Sequence, residues 1–377
     1  MIDQQKNQIQ YKSRITIFLR CLMGGGVERM MVNLTDSLAT REISVDLVLT
    51  RKEGSFLRQV SPKVRIVDLQ APWLPSSLPK LVCYLKREKP IALLSAGHYC
   101  NEIALWSKYL AGVSTQIVVS ERNPLSVEAE NAPQITARLT PWAARLFYPW
   151  SDGIVAVSHG VAEDLSRVTG IGLERIQTIY NPVITPDIFV KAQAPVEHPW
   201  LEPGEPPIIL GAGRFQPQKD FPTLIRAFAK VRQVSSARLM LLGAGPEKHN
   251  IITLIEELNL KSDVALLGFV NNPYAYMANV DVFVLSSAWE GFGNVLVEAM
   301  AVGTPVVSTN CKGGPAEILA QGKYGFLVPV ADSEAMAQAI LKCLSGQQKK
   351  VNPTWLAQFS LEYATQKYLN VLGILTP

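Results

Sequence analysis

Two hydrophobic rhythms alternate along the chain. From Arg14 onward, short runs rich in β-branched and aliphatic residues give way, after a turn, to longer segments whose apolar residues recur every three or four positions. The short runs fit buried strands and the longer ones amphipathic helices, and their regular succession is the signature of parallel strands joined by crossover helices. In the first half the pattern predicts strands near Ile15–Leu19, Val45–Leu49, Val64–Asp68, Ile91–Ser95, Gln116–Ser120 and Gly153–Ser158. Helices are expected between them near Val27–Leu38, Ser77–Glu88, Asn101–Leu110, Ile135–Leu146 and Gly160–Thr169. A second series places strands near Ile208–Gly211, Leu239–Leu242, Val264–Leu267, Val282–Leu285, Pro305–Ser308 and Gly325–Val328, alternating with helices near Pro222–Gln233, Glu247–Leu258, Asn294–Ala301 and Ser333–Leu344.

Between the two series runs NPVITPDIFVKAQAPVEHPWLEPGEPP, with seven prolines in 27 residues. Proline at that density opposes both helix and central strand, so the stretch reads as a linker. Residues 1–183 and 208–355 are then two doubly wound α/β domains, with 184–207 joining them. Parallel sheets of this kind bind ligands at the carboxyl ends of their strands, which two linked domains set around a shared cleft.

Composition agrees with a chain of this build. The 377 residues are 48% hydrophobic and 18% charged, the balance of a compact folded protein, and no apolar run approaches the roughly 18 residues of a membrane span. The opening MIDQQKNQIQYKSR lacks the apolar core of a signal peptide, so a cytoplasmic location is expected. Five scattered cysteines without a Cys-x-x-Cys pair indicate neither a disulfide framework nor a zinc site. Residues 1–198 carry 22 Lys and Arg against 18 Asp and Glu, while the remainder carries 14 against 14, so the whole net charge of +4 lies in the first half. That excess is either a solvated surface or a face for an anionic partner such as the inner face of a membrane, with Lys80, Lys86, Arg87 and Lys89 as its densest cluster. No nucleic-acid partner is expected.

Four stretches carry candidate chemistry. In LMGGGVERM, Gly24, Gly25 and Gly26 follow the first strand and open a helix, where backbone amides and the helix dipole can meet an anion or a sugar. No Gly-Lys-Ser/Thr follows, so it is no Walker loop, and the spacing does not fit a dinucleotide fingerprint. In GAGRFQPQKDF, Arg214 and Lys219 leave a strand end together and suit a diphosphate, the arginine as a planar fork and the lysine as a mobile charge. In WEGFGNVLVEAM, Glu290 and Glu298 stand eight residues apart, the second inside an apolar helix. A buried carboxylate needs donors, and the hydroxyls of two sugar rings could provide them, as could an internal salt bridge. In SAGHYCN, His98 ends a strand and can hydrogen-bond a substrate hydroxyl or transfer a proton; His159, in VSHGVAEDL, can equally serve the start of the next helix.

Together with LLGAGPE and LLGFV, these motifs resemble the family-4 retaining glycosyltransferases of the GT-B fold, over most of the chain from about Arg14 to Leu344. The resemblance implies that Arg214 and Lys219 hold the diphosphate of a nucleotide sugar, that Glu298 holds its ribose and that Glu290 holds hydroxyls of the transferred sugar. Gly291, Phe292 and Gly293 would line that ring, Asn294, Val295 and Gly243 would belong to the donor site, Val270 and Asn271 would border the base, and Gly25 and Gly26 would face the diphosphate and acceptor. His98 would stand near the sugar, and Asn181 matches a hinge element. Residues 356–377 would form a helix crossing back to the first, acceptor-side domain.

The same resemblance implies transfer with retention, His98, Arg214, Lys219 and Glu290 being the catalytic set, without a protein nucleophile, cofactor or metal. The donor is expected to be a UDP-hexose or UDP-N-acetylhexosamine. The acceptor is expected to be a glycan, a lipid-linked sugar or a small molecule. A nucleotide-sugar epimerase and a non-catalytic partner subunit are the rival readings. Extra acid-base residues for the first cannot be located, and the second would be expected to have lost some of the four donor-site residues.

Overall fold

The computed structural model describes residues 14–132 and 134–374; the polar opening stretch on which the expectation of no export rests lies, up to residue 13, outside the described residues. Strands β1 (Arg14–Leu19), β2 (Ser44–Leu49), β3 (Arg65–Asp68), β4 (Ala92–Ala96), β5 (Gln116–Glu121), β6 (Gly153–Ala156) and β7 (Ile176–Thr178) form one sheet in the order β3-β2-β1-β4-β5-β6-β7. Strands β8 (Ile208–Ala212), β9 (Arg238–Leu242), β10 (Val264–Gly268), β11 (Val282–Leu285), β12 (Val306–Thr309) and β13 (Phe326–Val328) form a second, ordered β10-β9-β8-β11-β12-β13. Neighbouring strands pair in parallel in both sheets, as between β1 and β4 and between β8 and β11. The central strands are almost wholly buried because helices cover both faces, which is why they read as continuous apolar runs. In each sheet the strand order reverses beside the first strand of its series, at β1/β4 and β8/β11, the places where doubly wound sheets bind ligands.

Three expectations need correction. The first sheet has a seventh strand, β7, which carries a single apolar residue, Ile176, and is too short to show a period. The helix expected over Ile135–Leu146 is two helices, Ile135–Arg138 and Thr140–Phe147, parted at Leu139 ahead of Pro141. The proline-rich linker does contain a helix, Pro186–Ala192, because its proline sits in the first turn, where the missing N–H costs nothing.

Contacts between the halves are both polar and aromatic. Ser158 Oγ donates to the Gly291 carbonyl at 2.8 Å, and the amides of His159 and Gly160 donate to the Glu317 carboxylate at 2.9 and 2.8 Å. A carboxylate is favoured there because the helix His159–Thr169 begins at that point. Asn181 Nδ2 donates to Asn294 Oδ1 at 2.8 Å, and Tyr180 stacks on Phe292 with ring centroids 5.4 Å apart. The last helix, Leu361–Val371, is capped by Ser360 and returns to the first sheet, where Ala364, Tyr368 and Leu369 join the core of Ile15, Ile17 and Leu34. Among the described residues no helix is long and apolar enough to cross a membrane.

Where the halves touch, glycine is a spatial requirement. A Cβ on Gly291 would lie 1.8 Å from the Arg122 carbonyl oxygen of the opposite half. Gly291→Ala is therefore expected to force backbone apart and destabilise the protein by about 1–3 kcal/mol, the usual cost of overpacking. Denaturant unfolding of the variant beside the parent measures it, and coincident curves would show that the contact is not needed.

Candidate active site

The carboxyl ends of β1, β5, β8, β9 and β11 lead into loops that enclose a cavity of about 590 Å³ between the sheets. Gly25 and Gly26 line it from the first half. Arg214, Lys219, Gly243 and Val270, and Glu290 through Val295 with Glu298, line it from the second. Of the residues expected at the site, His98 and Asn271 are not part of this lining.

Local backbone requirements explain the second wall. Gly243 has φ of 148°, and a Cβ there would come within 1.9 Å of the Gly213 carbonyl, so only glycine lets the loops after β8 and β9 close together. Asp220 caps the helix Phe221–Arg232 by accepting from the Thr223 amide, which fixes the end of the loop carrying Arg214 and Lys219. Arg214 is exposed to the cavity, and no carboxylate among the described residues pairs with it. Gly293, with φ of 104°, precedes the helix Asn294–Ala301, whose first amides have no side-chain cap.

The two carboxylates are held differently. Glu290 is buried, and its Oε1 accepts from Lys219 Nζ at 2.5 Å and from Ser287 Oγ at 2.6 Å. Glu298 is buried one helical turn beyond Asn294, and Arg29 Nη1 of the opposite half lies 3.7 Å from its Oε1. Burial pushes the Glu298 carboxyl above its ordinary range, while Arg29 and the Tyr274 hydroxyl pull the other way. Tyr274 in turn is pushed up to about 12 by burial and by Glu298.

On the first wall Gly24 has φ of 122°, and Gly25 precedes the helix Gly26–Thr40. Gly26 abuts the opposite half, where a Cβ would lie 3.2 Å from Asn294 Nδ2. Arg122, buried, donates to Asn181 Oδ1 at 2.6 Å and to Ser120 Oγ at 3.3 Å, and its neighbour Asn123 donates to Glu128. Arg29, Arg122 and Asn123 line the cavity though no candidate role had been given to them. Arg29 does belong to the glycine-rich stretch LMGGGVERM, whereas Tyr274 follows a proline in a segment with no period.

His98 opens the helix His98–Ala111, three residues earlier than expected, and its ring is buried over that helix's first turn. Its Nε2 lies 3.2 Å from Glu102 Oε1, and the Tyr148 hydroxyl sits 3.4 Å from Nδ1 while donating to Glu121 at 2.6 Å. Burial pulls the imidazole pKa down, but Glu102 and Glu121 outweigh it and the net shift is upward. His159 is exposed at a helix start whose cap is Ser158.

Residues 24–185 match the model for Glycosyltransferase Family 4, and residues 196–354 match that for Glycosyl transferases group 1. An N-acetylgalactosamine-N,N'-diacetylbacillosaminyl-diphospho-undecaprenol 4-alpha-N-acetylgalactosaminyltransferase of Campylobacter jejuni is 31% identical over 87% of this chain and 89% of its own. The chain belongs to the family-4 glycosyltransferases. A second relative of this glycosyltransferase, the lipopolysaccharide core biosynthesis glycosyltransferase LpsE of Rhizobium meliloti, is 30% identical over 93% of this chain and 96% of its own. Anabaena HepE, solved in complex with UDP and glucose, superposes with a TM-score of 0.77 at 22% identity, covering 96% of this chain and 99% of HepE. The fold is GT-B, two Rossmann-like parallel sheets with their strand ends turned to one cleft.

Behind the first wall of this glycosyltransferase, Glu128 is pushed up to about 7, by burial and then by the charge of Glu121, against the pull of Asn123 and His98. An acid whose folded pKa is raised gives stability that is complete below its unfolded value and lost as pH rises through the folded one. Glu128→Gln keeps an acceptor for Asn123 and removes the titration. The melting temperature of the variant minus that of the parent should therefore increase from pH 5 to pH 8. A difference constant across that range would remove Glu128 from the titrating groups.

Proposed function

We propose that this glycosyltransferase moves a hexose or N-acetylhexosamine, with retention, from a UDP-sugar to a glycan or lipid-linked acceptor. The observation that carries the reading is the convergence of Arg214, Lys219, Glu290, Glu298 and the Gly24–Gly26 loop on one cavity. An unpaired arginine beside a lysine offers positive charge where a diphosphate leaves, and buried carboxylates accept from sugar hydroxyls. Binding of UDP by HepE supports the choice of nucleotide, and the names of the Campylobacter and Rhizobium relatives support lipid-linked and lipopolysaccharide acceptors.

In the proposed reaction the bond from the anomeric carbon to the diphosphate oxygen breaks, and its electron pair stays on that oxygen. The acceptor oxygen bonds to the same face of the anomeric carbon, and its proton passes to the departing phosphate. Glu290, already engaged by Lys219 and Ser287, orients hydroxyls of the sugar rather than attacking it. His98, held beside Glu102 and Tyr148 outside the lining of the cavity, is assigned no step in this reaction.

Arg214→Ala and Lys219→Ala should each reduce transfer by on the order of a hundredfold, since about 3 kcal/mol of leaving-group stabilisation is asked of each. With those cations in place, transfer should persist in the presence of a chelator. Radiolabelled sugar transfer to acceptor extracts measures both, and nucleotide release that needs an acceptor separates transfer from epimerisation. Full activity of the double variant would refute the site.

For the acceptor we propose that the first half rests on an anionic membrane face. Ile135, Leu139, Trp142 and Leu146 are exposed at helical spacing, Trp150 is exposed beyond them, and exposed Arg138 and Arg145 flank the stripe. Tyr148 is wholly buried, and Phe147 packs against Trp106 and Trp150, so these two serve the protein itself. Such a stripe, carried on two short successive helices, suits a segment lying in the bilayer interface, each nearby basic residue adding about 1 kcal/mol on anionic lipid. Sedimentation with phosphatidylglycerol-containing vesicles should fall when Leu139 and Trp142 are changed to Asp, and also when Lys86, Arg87 and Lys89 are changed to Glu. Recovery in the supernatant at every lipid composition and low salt would overturn this docking.

A further inference from the structure

Glu298 is a buried carboxylate whose one cationic partner among the described residues comes from the opposite half. It is buried, and the groups that address its charge are the Tyr274 hydroxyl and Arg29. Arg29 lies three residues into the helix that the Gly24–Gly26 loop opens, so it reaches Glu298 across the cleft. Its Nη1 donates to the Tyr274 hydroxyl at 3.1 Å and stands 3.7 Å from Glu298 Oε1, within ion-pair range but too far for a hydrogen bond. The guanidinium also lies over the Phe56 ring, 5.4 Å from its centroid, and remains partly exposed to the cavity.

We propose that Arg29 is a cation of the donor site that parks on Glu298 in the ligand-free protein and passes to the donor's diphosphate when ribose hydroxyls take Glu298. The inference rests on the donor reading of the cavity. A ribose diol and a guanidinium compete for the same carboxylate edge. Arriving hydroxyls replace the loose ion pair with two direct hydrogen bonds, and the displaced arginine has no other ion-pair partner among the described residues. The helix start at Gly25 and Gly26, one turn away along the same wall, is where backbone amides favour an anion. A phosphate there gives Arg29 the charged, fork-shaped partner that it loses at Glu298.

The exchange makes Arg29 a residue that distinguishes ligands. A nucleoside without phosphates must break the Arg29–Glu298 pair and return nothing to Arg29. A nucleoside diphosphate breaks the same pair and replaces it. The donor's two ends are thus coupled through one side chain, and a bound sugar nucleotide ties the two halves together more strongly than the nucleoside part alone.

Calorimetric titration of uridine and UDP, adenosine and ADP, and guanosine and GDP into the full chain tests the proposal. Arg29→Met keeps an unbranched side chain and removes the charge, and Arg29→Gln is a second neutral variant should the first not fold. For the pair that the parent selects, the nucleoside is expected to bind the neutral variants more tightly and the diphosphate less tightly. The preference for the diphosphate should then fall by about tenfold or more, the scale of one lost charge-assisted contact. Equal shifts for both ligands, or an unchanged ratio, would overturn the role of Arg29 while leaving the donor site standing. A parent that binds none of the six would bring down the donor reading and this inference together.

Discussion

Two buried carboxylates, Glu290 in the loop before the helix Asn294–Ala301 and Glu298 within that helix, set the terms for everything around the cleft. Glu290 and Glu298 lie in apolar surroundings where an unpaired charge would cost several kcal/mol, and each is met by a cation from a different direction. Lys219 reaches Glu290 from the loop after β8, within the same sheet domain, and Ser287 adds a second donor. Glu298 draws its cation from across the cleft. The pair is therefore satisfied partly by its own half and partly by the other, which ties the two walls of the cavity together.

The strand and helix pattern was legible because parallel strands covered on both faces become continuous apolar runs, which stand out between amphipathic helices. Where an element left no such trace, the reading failed for a local reason. Strand β7 has three residues and a single apolar side chain, and the break at Leu139 depends on a proline two positions later. The Pro186–Ala192 helix shows the opposite error, in which proline was read as a breaker although it occupied the one part of a helix that accepts it.

At the site, legibility followed chemistry. Arg214, Lys219, Glu290 and Glu298 announce themselves as charges set in apolar or glycine-rich stretches, and the structure gathers them round one cavity. Arg29 is one charged residue among several on an ordinary amphipathic helix, and Tyr274 one tyrosine after a proline; only their meeting with Glu298 sets them apart. His98 shows what position along a strand cannot decide. A residue after β4 can face the cleft or fold back over its helix, and here Glu102 one turn ahead and Tyr148 from a third element hold it back.

The loops of both walls are not independent, because Asn181 and Asn294 stand where they meet. Arg122 donates to the Asn181 side-chain oxygen, and the Asn181 side-chain amide donates to Asn294, the first residue of the helix that carries Glu298. Asn294 also abuts Gly26 at the start of the helix that carries Arg29. An outward movement of the Gly24–Gly26 loop would release Asn294 on one side, and a rotation at Asn181 would release it on the other. The hydrogen-bond chain and the close approach of Gly26 thus tie the glycine loop, the joint between the halves and the Glu298 helix to one asparagine, with Glu298 one turn along the helix from it.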